Sequence, residues 1–107
     1  MNTLTITGIV YKEPTEFINS DTGIRTVVFT LCNEFIDFTT STPVKVNVKC
    51  ICWGKVASYV WDELYEGCKV IVSGRISNRP RCVGDIWIKE ACVNCSHVAR
   101  LCQEDYD

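Results

Sequence analysis

The sequence predicts an all-β fold: a closed five-stranded barrel with one α-helix between strands 3 and 4. Three observations predict it. Apolar residues recur at every second position in separate stretches, the period turns helical in a single place, and turn-forming residues divide the stretches. A chain of 107 residues suits one domain around one core. A composition of 47% hydrophobic and 22% charged residues is that of a globular protein rather than a disordered one.

The first strand is Thr3 to Tyr11, with Leu4, Ile6 and Val10 on one side and Thr3, Thr5 and Thr7 on the other; Gly8 suits a bend or bulge. A loop through Glu13-Pro14 reaches the turn-favouring tract Asn19-Ser20-Asp21-Thr22-Gly23. Arg25 to Asn33 is then the second strand, with Val27, Phe29 and Leu31 inward. From Phe35 to Pro43 the alternation lapses among Thr and Ser, which fits a loop or hairpin tip. Strand three follows as VKVNVKCICW, residues 44 to 53. Val44, Val46, Val48, Cys50 and Cys52 make a smooth apolar face, while Lys45, Asn47, Lys49, Ile51 and Trp53 occupy the other.

After Gly54 the period changes. Val56, Ala57, Val60, Trp61 and Leu64 fall at helical spacing, Gly67 is the expected stop, and this spacing assigns Trp61 to the core. Lys69 to Ser77 returns to period 2, with Val70, Val72 and Ile76 inward and Lys69, Ile71, Ser73, Arg75 and Ser77 outward. Asn78 to Asp85 reads as a basic, turn-rich loop and Ile86 to Val93 as strand five. That element order is the one of the oligonucleotide/oligosaccharide-binding barrel, the OB-fold, and is shared by other small barrels and α+β folds; the expected division is a barrel domain over residues 1–102 with a short acidic end at 103–107.

A net charge of -2 excludes a broadly basic nucleic-acid binder, so any affinity for polyanions has to be local. The opening MNTLTITGIVYK has neither the charged start nor the apolar run of a signal peptide, and no stretch reaches membrane-spanning length. The expectation is a soluble, cytoplasmic protein whose eight cysteines are reduced thiols. Cys92, Cys95, His97 and Cys102 invite a zinc reading. No second Cys-x2-Cys accompanies them, however, and a strand through Cys92 and Cys95 holds the two on opposite faces, so ordinary thiols, no metal and no cofactor are expected. His97 has no evident catalytic partner, and no Gly-rich phosphate loop or paired-acid frame is present, so an enzyme is not expected.

The outward sides of strands three and four carry Lys45, Asn47, Lys49 and Trp53, with Lys55 just beyond, then Arg75 and Ser77, with Arg79 and Arg81 in the following loop. Brought together on a barrel, these cations form a stripe with an aromatic at its edge. Lys and Arg neutralise phosphates and release counterions, and an indole stacks on any base. The parity of Trp53, opposed to that of the valines, makes it a candidate platform. Trp87 shares a face with Lys89 and suits either nucleic acid or a subunit interface, whereas Tyr11 and Phe17 read as packing residues.

Several short stretches, in order along nearly the whole chain, resemble the bacterial single-stranded DNA-binding protein family. Asn2-Thr3-Leu4-Thr5-Ile6-Thr7-Gly8 resembles its opening strand, and Glu13-Pro14 falls where members usually have Asp-Pro. Trp53-Gly54-Lys55 is similar to the aromatic-Gly-Lys step after strand three, Glu63-Leu64-Tyr65-Glu66-Gly67 to the helix end, and Val70-Ile71-Val72-Ser73-Gly74-Arg75-Ile76 to strand four. The resemblance implies single-stranded DNA binding in replication, recombination or repair, by a homodimer or homotetramer, with replication or repair proteins as further partners. It also implies stacking roles for Phe35 and Trp53. Asn47 and Arg81 stand at or near positions that are aromatic in many members, which implies fewer platforms. The chain ends Gln103-Glu104-Asp105-Tyr106-Asp107 without the long linker and terminal Pro-Phe of the family, so recruitment of partners through a tail is not expected. Two alternatives stand beside this reading: an assembly factor similar to primosomal replication protein N, and a barrel used for protein contacts alone.

Overall fold

In the computed structural model, residues 2–101 are described; Met1 and residues 102–107, including Cys102 and the acidic end, lie outside the described residues. The strands are β1 (Leu4–Val10), β2 (Thr15–Ile18), β3 (Arg25–Asp37), β4 (Thr42–Trp53), β5 (Lys69–Val83) and β6 (Ile86–Arg100), with α1 (Gly54–Glu63) between β4 and β5. The order across the sheet is β1-β5-β6-β4-β3-β2, and a second pairing of β1 with β3 closes it into a barrel of five strands. All ladders are antiparallel except β4 with β6. The result is the OB-fold barrel, with its helix between the third and fourth barrel strands.

Alternation puts Val27, Phe29 and Leu31 of β3, Cys50 and Cys52 of β4, Val70 and Val72 of β5, and Val93 of β6 into one core. α1 closes one end of the barrel through Ala57 and Val60, joined by Leu64, which follows the helix. Trp61 is not part of this core. The residue is 45% exposed, with the Arg25 guanidinium over its ring at 5.8 Å and the same Arg25 paired with Glu16. Val56 and Tyr59 pack beside Ala57, Val60 and Leu64 against the barrel end, and the indole lies outside them.

Barrel closure depends on close backbone approach at two glycines. A Cβ on Gly8 would collide with the Cys32 carbonyl where β1 crosses to β3, and one on Gly74 would collide with the Asn94 carbonyl. Gly74 lies beside the β5–β6 bulge, which falls between Ser73 and Gly74. Asn2 extends β1 by a side-chain clamp, its Nδ2 donating to the Ile76 carbonyl at 2.6 Å and its Oδ1 accepting from the Ile76 N–H at 3.2 Å.

Beyond the barrel two hairpin arms project. β3 and β4 stay paired out to Asp37 opposite Thr42, and β5 and β6 out to Val83 opposite Ile86. The parallel ladder between β4 and β6 begins only at Lys49 and Cys92, so Thr42–Val48 and Ile86–Ala91 both overhang it at the same end. Residues 78–85, expected as a loop, are therefore mostly strand. Gly84 at φ 62 and Asp85 make a two-residue turn, and Pro80 is accommodated because β1 no longer covers that edge of β5. The last strand likewise runs on to Arg100 rather than stopping at Val93, and Val46, expected on the inner face, is exposed on an arm. The short β2, an edge strand on β3, comes from the segment expected as a loop.

Candidate nucleic-acid interface

The strand registers set out the outer face row by row. Phe17 of β2, Thr26 of β3 and Trp53 of β4 form one row. Thr15, Val28, Ile51, Asn94 and Arg75 form the next, and Thr30, Lys49, Cys92 and Ser77 a third. Arg79 opposite Glu90 and Arg81 opposite Ile88 carry the same face onto the β5–β6 arm. With neighbouring strands about 4.8 Å apart, Phe17 and Trp53 stand roughly 10 Å apart at the backbone, with the small Thr26 between them.

Two grooves open on this face, and Lys49 and Arg79 line both. One, of about 240 Å³, runs past Lys12, Thr15, Phe17, Val28 and Thr30; the other, of about 330 Å³, past Arg81 and Glu90. Lys49 owes its place to the centre of the sheet, between β3 and β6, and Arg79 to the foot of its arm. Arg81 is held by Glu90 at 3.5 Å, and Lys12 lies over the Tyr11 ring at 5.4 Å. Glu13, the acid that lines the first groove, accepts the Glu66 N–H at 3.2 Å. Cys92 is buried beneath these side chains. Desolvation pushes its thiol above the ordinary value, and the nearby Arg79 charge pulls it partly back.

Of the residues singled out in the sequence, Lys49, Arg79 and Arg81 meet in these grooves, and Ser77 and Arg75 lie on the same face of β5, in the rows of Lys49 and Ile51. Trp53 points outward at the edge of the face, immediately before α1, and Lys55 is exposed in the first turn of that helix. Lys45 and Asn47 are exposed on the β3–β4 arm. Lys45 lies opposite Glu34 in a separate groove that also includes Glu66, so its charge is offset there. Phe35 lies within β3 rather than past it, and its pairing with Val44 sets it on the face opposite Lys45. Phe17, read as a packing residue, is 57% exposed in the first groove, and Lys12 joins it there. The only sequence signal for this pair is the brief alternation Thr15-Glu16-Phe17-Ile18, too short beside Pro14 to register as a strand.

Another groove, about 400 Å³, lies at the β1–β3 closure. It holds one cation, Lys69, beside Glu34 and no aromatic, which is poor chemistry for a nucleotide strand. Cys92 faces outward with Lys49, whereas Cys95 is in register with Gly74 on the inner face, so β6 separates them. Among the described residues no group of His, Cys, Asp and Glu is arranged to hold a metal ion. No helix among them is long and apolar enough to cross a membrane. Compared with models of known protein families and with curated protein sequences, the chain matches none.

Proposed function

We propose that this protein binds single-stranded DNA without sequence preference, in replication, recombination or repair, and acts by binding rather than by catalysis. One observation carries the reading: Lys49 and Arg79 are shared by two adjoining grooves on a single sheet face whose edge row presents Phe17 and Trp53. A single strand lying across that face meets cations for its phosphates along the foot of the β5–β6 arm. Its bases meet two rings at the opposite edge. Ionic contacts track the backbone, and stacking accepts any base because every base has a π-face. The resemblance to bacterial single-stranded DNA-binding proteins supports the same reading and adds the expectation of a homodimer or homotetramer. A net charge of -2 confines the attraction to this one strip.

The test is a fluorescence titration of the intact protein with poly-dT at several salt concentrations. Quenching is expected, largely from Trp53, with affinity falling on a log–log plot by about 0.7 per neutralised phosphate. Absence of both quenching and salt-sensitive binding contradicts the reading and leaves the barrel as a protein-contact module.

A further inference from the structure

Three thiols meet inside the barrel, away from the outer face. Cys50 and Cys52 point inward from β4 and Cys95 inward from β6, and all three are buried in the core. They stand at one of the two short ladders of the barrel. β4 and β6 pair only at Lys49 with Cys92, Cys50 with Val93 and Ile51 with Asn94. One step further along the two parallel strands brings Cys52 beside Cys95, where the ladder stops next to the β6 bulge.

Parallel neighbours are about 4.8 Å apart, within the roughly 4.4–6.8 Å between Cα atoms that a disulfide spans. The Cys50 thiol donates to the Val48 carbonyl at 3.8 Å and the Cys95 thiol to the Val93 carbonyl at 3.7 Å, and the neighbouring Cys50 and Cys52 thiols lower the Cys95 pKa against the opposing effect of burial. The neighbouring Cys95, then burial, raises the other two. Cys95 is also the one of the three with a path to solvent, at 8% exposure against 0% for Cys50 and Cys52.

We propose that Cys95 and Cys52 are a redox-active pair that forms a disulfide on exposure to hydrogen peroxide, stapling β4 to β6 beneath the outer face. In the first step the Cys95 sulfur attacks one peroxide oxygen, the O–O bond breaks, and water leaves to give a sulfenic acid. In the second the Cys52 sulfur attacks that sulfur, the S–O bond breaks, and a second water departs. Two thiols are oxidised by two electrons in all, and one peroxide is reduced to two waters. The staple lies directly under Ile51 and Asn94, the residues between Lys49 and Arg75 on the outer face, so it fixes the spacing of the two cations.

The experiment treats the full chain with hydrogen peroxide, blocks remaining thiols with iodoacetamide, and maps peptides by mass spectrometry without reduction. A Cys52–Cys95 cross-link that dithiothreitol reverses is the expected result. It is accompanied by a rise in the thermal midpoint of at least about 5 °C, absent in Cys95→Ala. Recovery of Cys52 and Cys95 as blocked thiols under conditions that oxidise the exposed Cys82 overturns the proposal. So does a Cys50–Cys95 cross-link in its place, or an unchanged midpoint in the cross-linked protein. Because mapping uses the wild-type chain and no DNA, its failure is distinct from failure of the DNA-binding reading.

Discussion

The barrel body and the two arms that leave it are built from the same strands, yet they obey different rules. Within the barrel, β5 alternates Val70, Val72 and Gly74 inward with Ile71, Ser73 and Arg75 outward, because one face is sealed against the core. A few residues later the same strand reads Arg79-Pro80-Arg81-Cys82-Val83, and all five are exposed. Once both faces of a two-stranded ribbon meet solvent, nothing requires one of them to be apolar. Stability is therefore concentrated in the body, and the arms are free to carry charge. The candidate interface lies where the two meet, with Lys49 in the sheet and Arg79 at the foot of the arm.

The sharpest way to break this contrast is a single alanine substitution in each region. Gly74→Ala drives a Cβ into the Asn94 carbonyl, backbone against backbone, and is expected to cost more than about 3 kcal/mol or to prevent folding. Phe38→Ala removes a far larger side chain from the tip of the β3–β4 arm, where it is 97% exposed, and is expected to change stability by less than about 0.5 kcal/mol. Thermal and urea unfolding of the two variants measure both. A Phe38→Ala variant as unstable as Gly74→Ala would mean that the arm is packed against something and does not project freely.

A finer division applies to binding. Loss of a stacking ring, Phe17→Ala or Trp53→Ala, is expected to weaken poly-dT affinity by about 1 to 3 kcal/mol while leaving the salt dependence nearly unchanged. Loss of a cation, Lys49→Ala or Arg79→Ala, is expected to cost about 1 kcal/mol and to reduce the log–log salt slope by about 0.7. Equal effects on slope from both kinds of variant would erase the distinction between the aromatic edge and the cationic grooves.

The same contrast accounts for how much was legible in the sequence. The barrel strands and the helix were readable because burial imposes a period on them: Val27, Phe29 and Leu31, or Val70 and Val72, leave little choice of face. The outward parity of Lys49, Arg75 and Trp53 followed from the same alternation. The arm residues 78–83 carry Pro80 and no apolar face, so they resembled a loop. Their pairing is visible only from the Val83-Gly84-Asp85-Ile86 turn and the partner strand beyond it. Trp61 misled because helical spacing states which side of a helix a residue occupies, not whether the barrel end has room for an indole. Phe17 was hidden because four residues of edge strand are too few to show a period, and its value depends on register with Thr26 and Trp53, which only the folded sheet establishes.

Amide chemical-shift mapping by NMR, with oligothymidylate added to the isotope-labelled protein, tests the central claim most directly. The largest perturbations are expected to cluster on one face, at Thr15–Phe17, Val28–Thr30, Lys49–Trp53, Arg75–Arg81 and Cys92–Asn94, with the β1–β3 closure around Ile9 and Cys32 unmoved. Perturbations centred on Ile9, Cys32, Glu34 and Lys69, or none at saturating oligonucleotide, would contradict it.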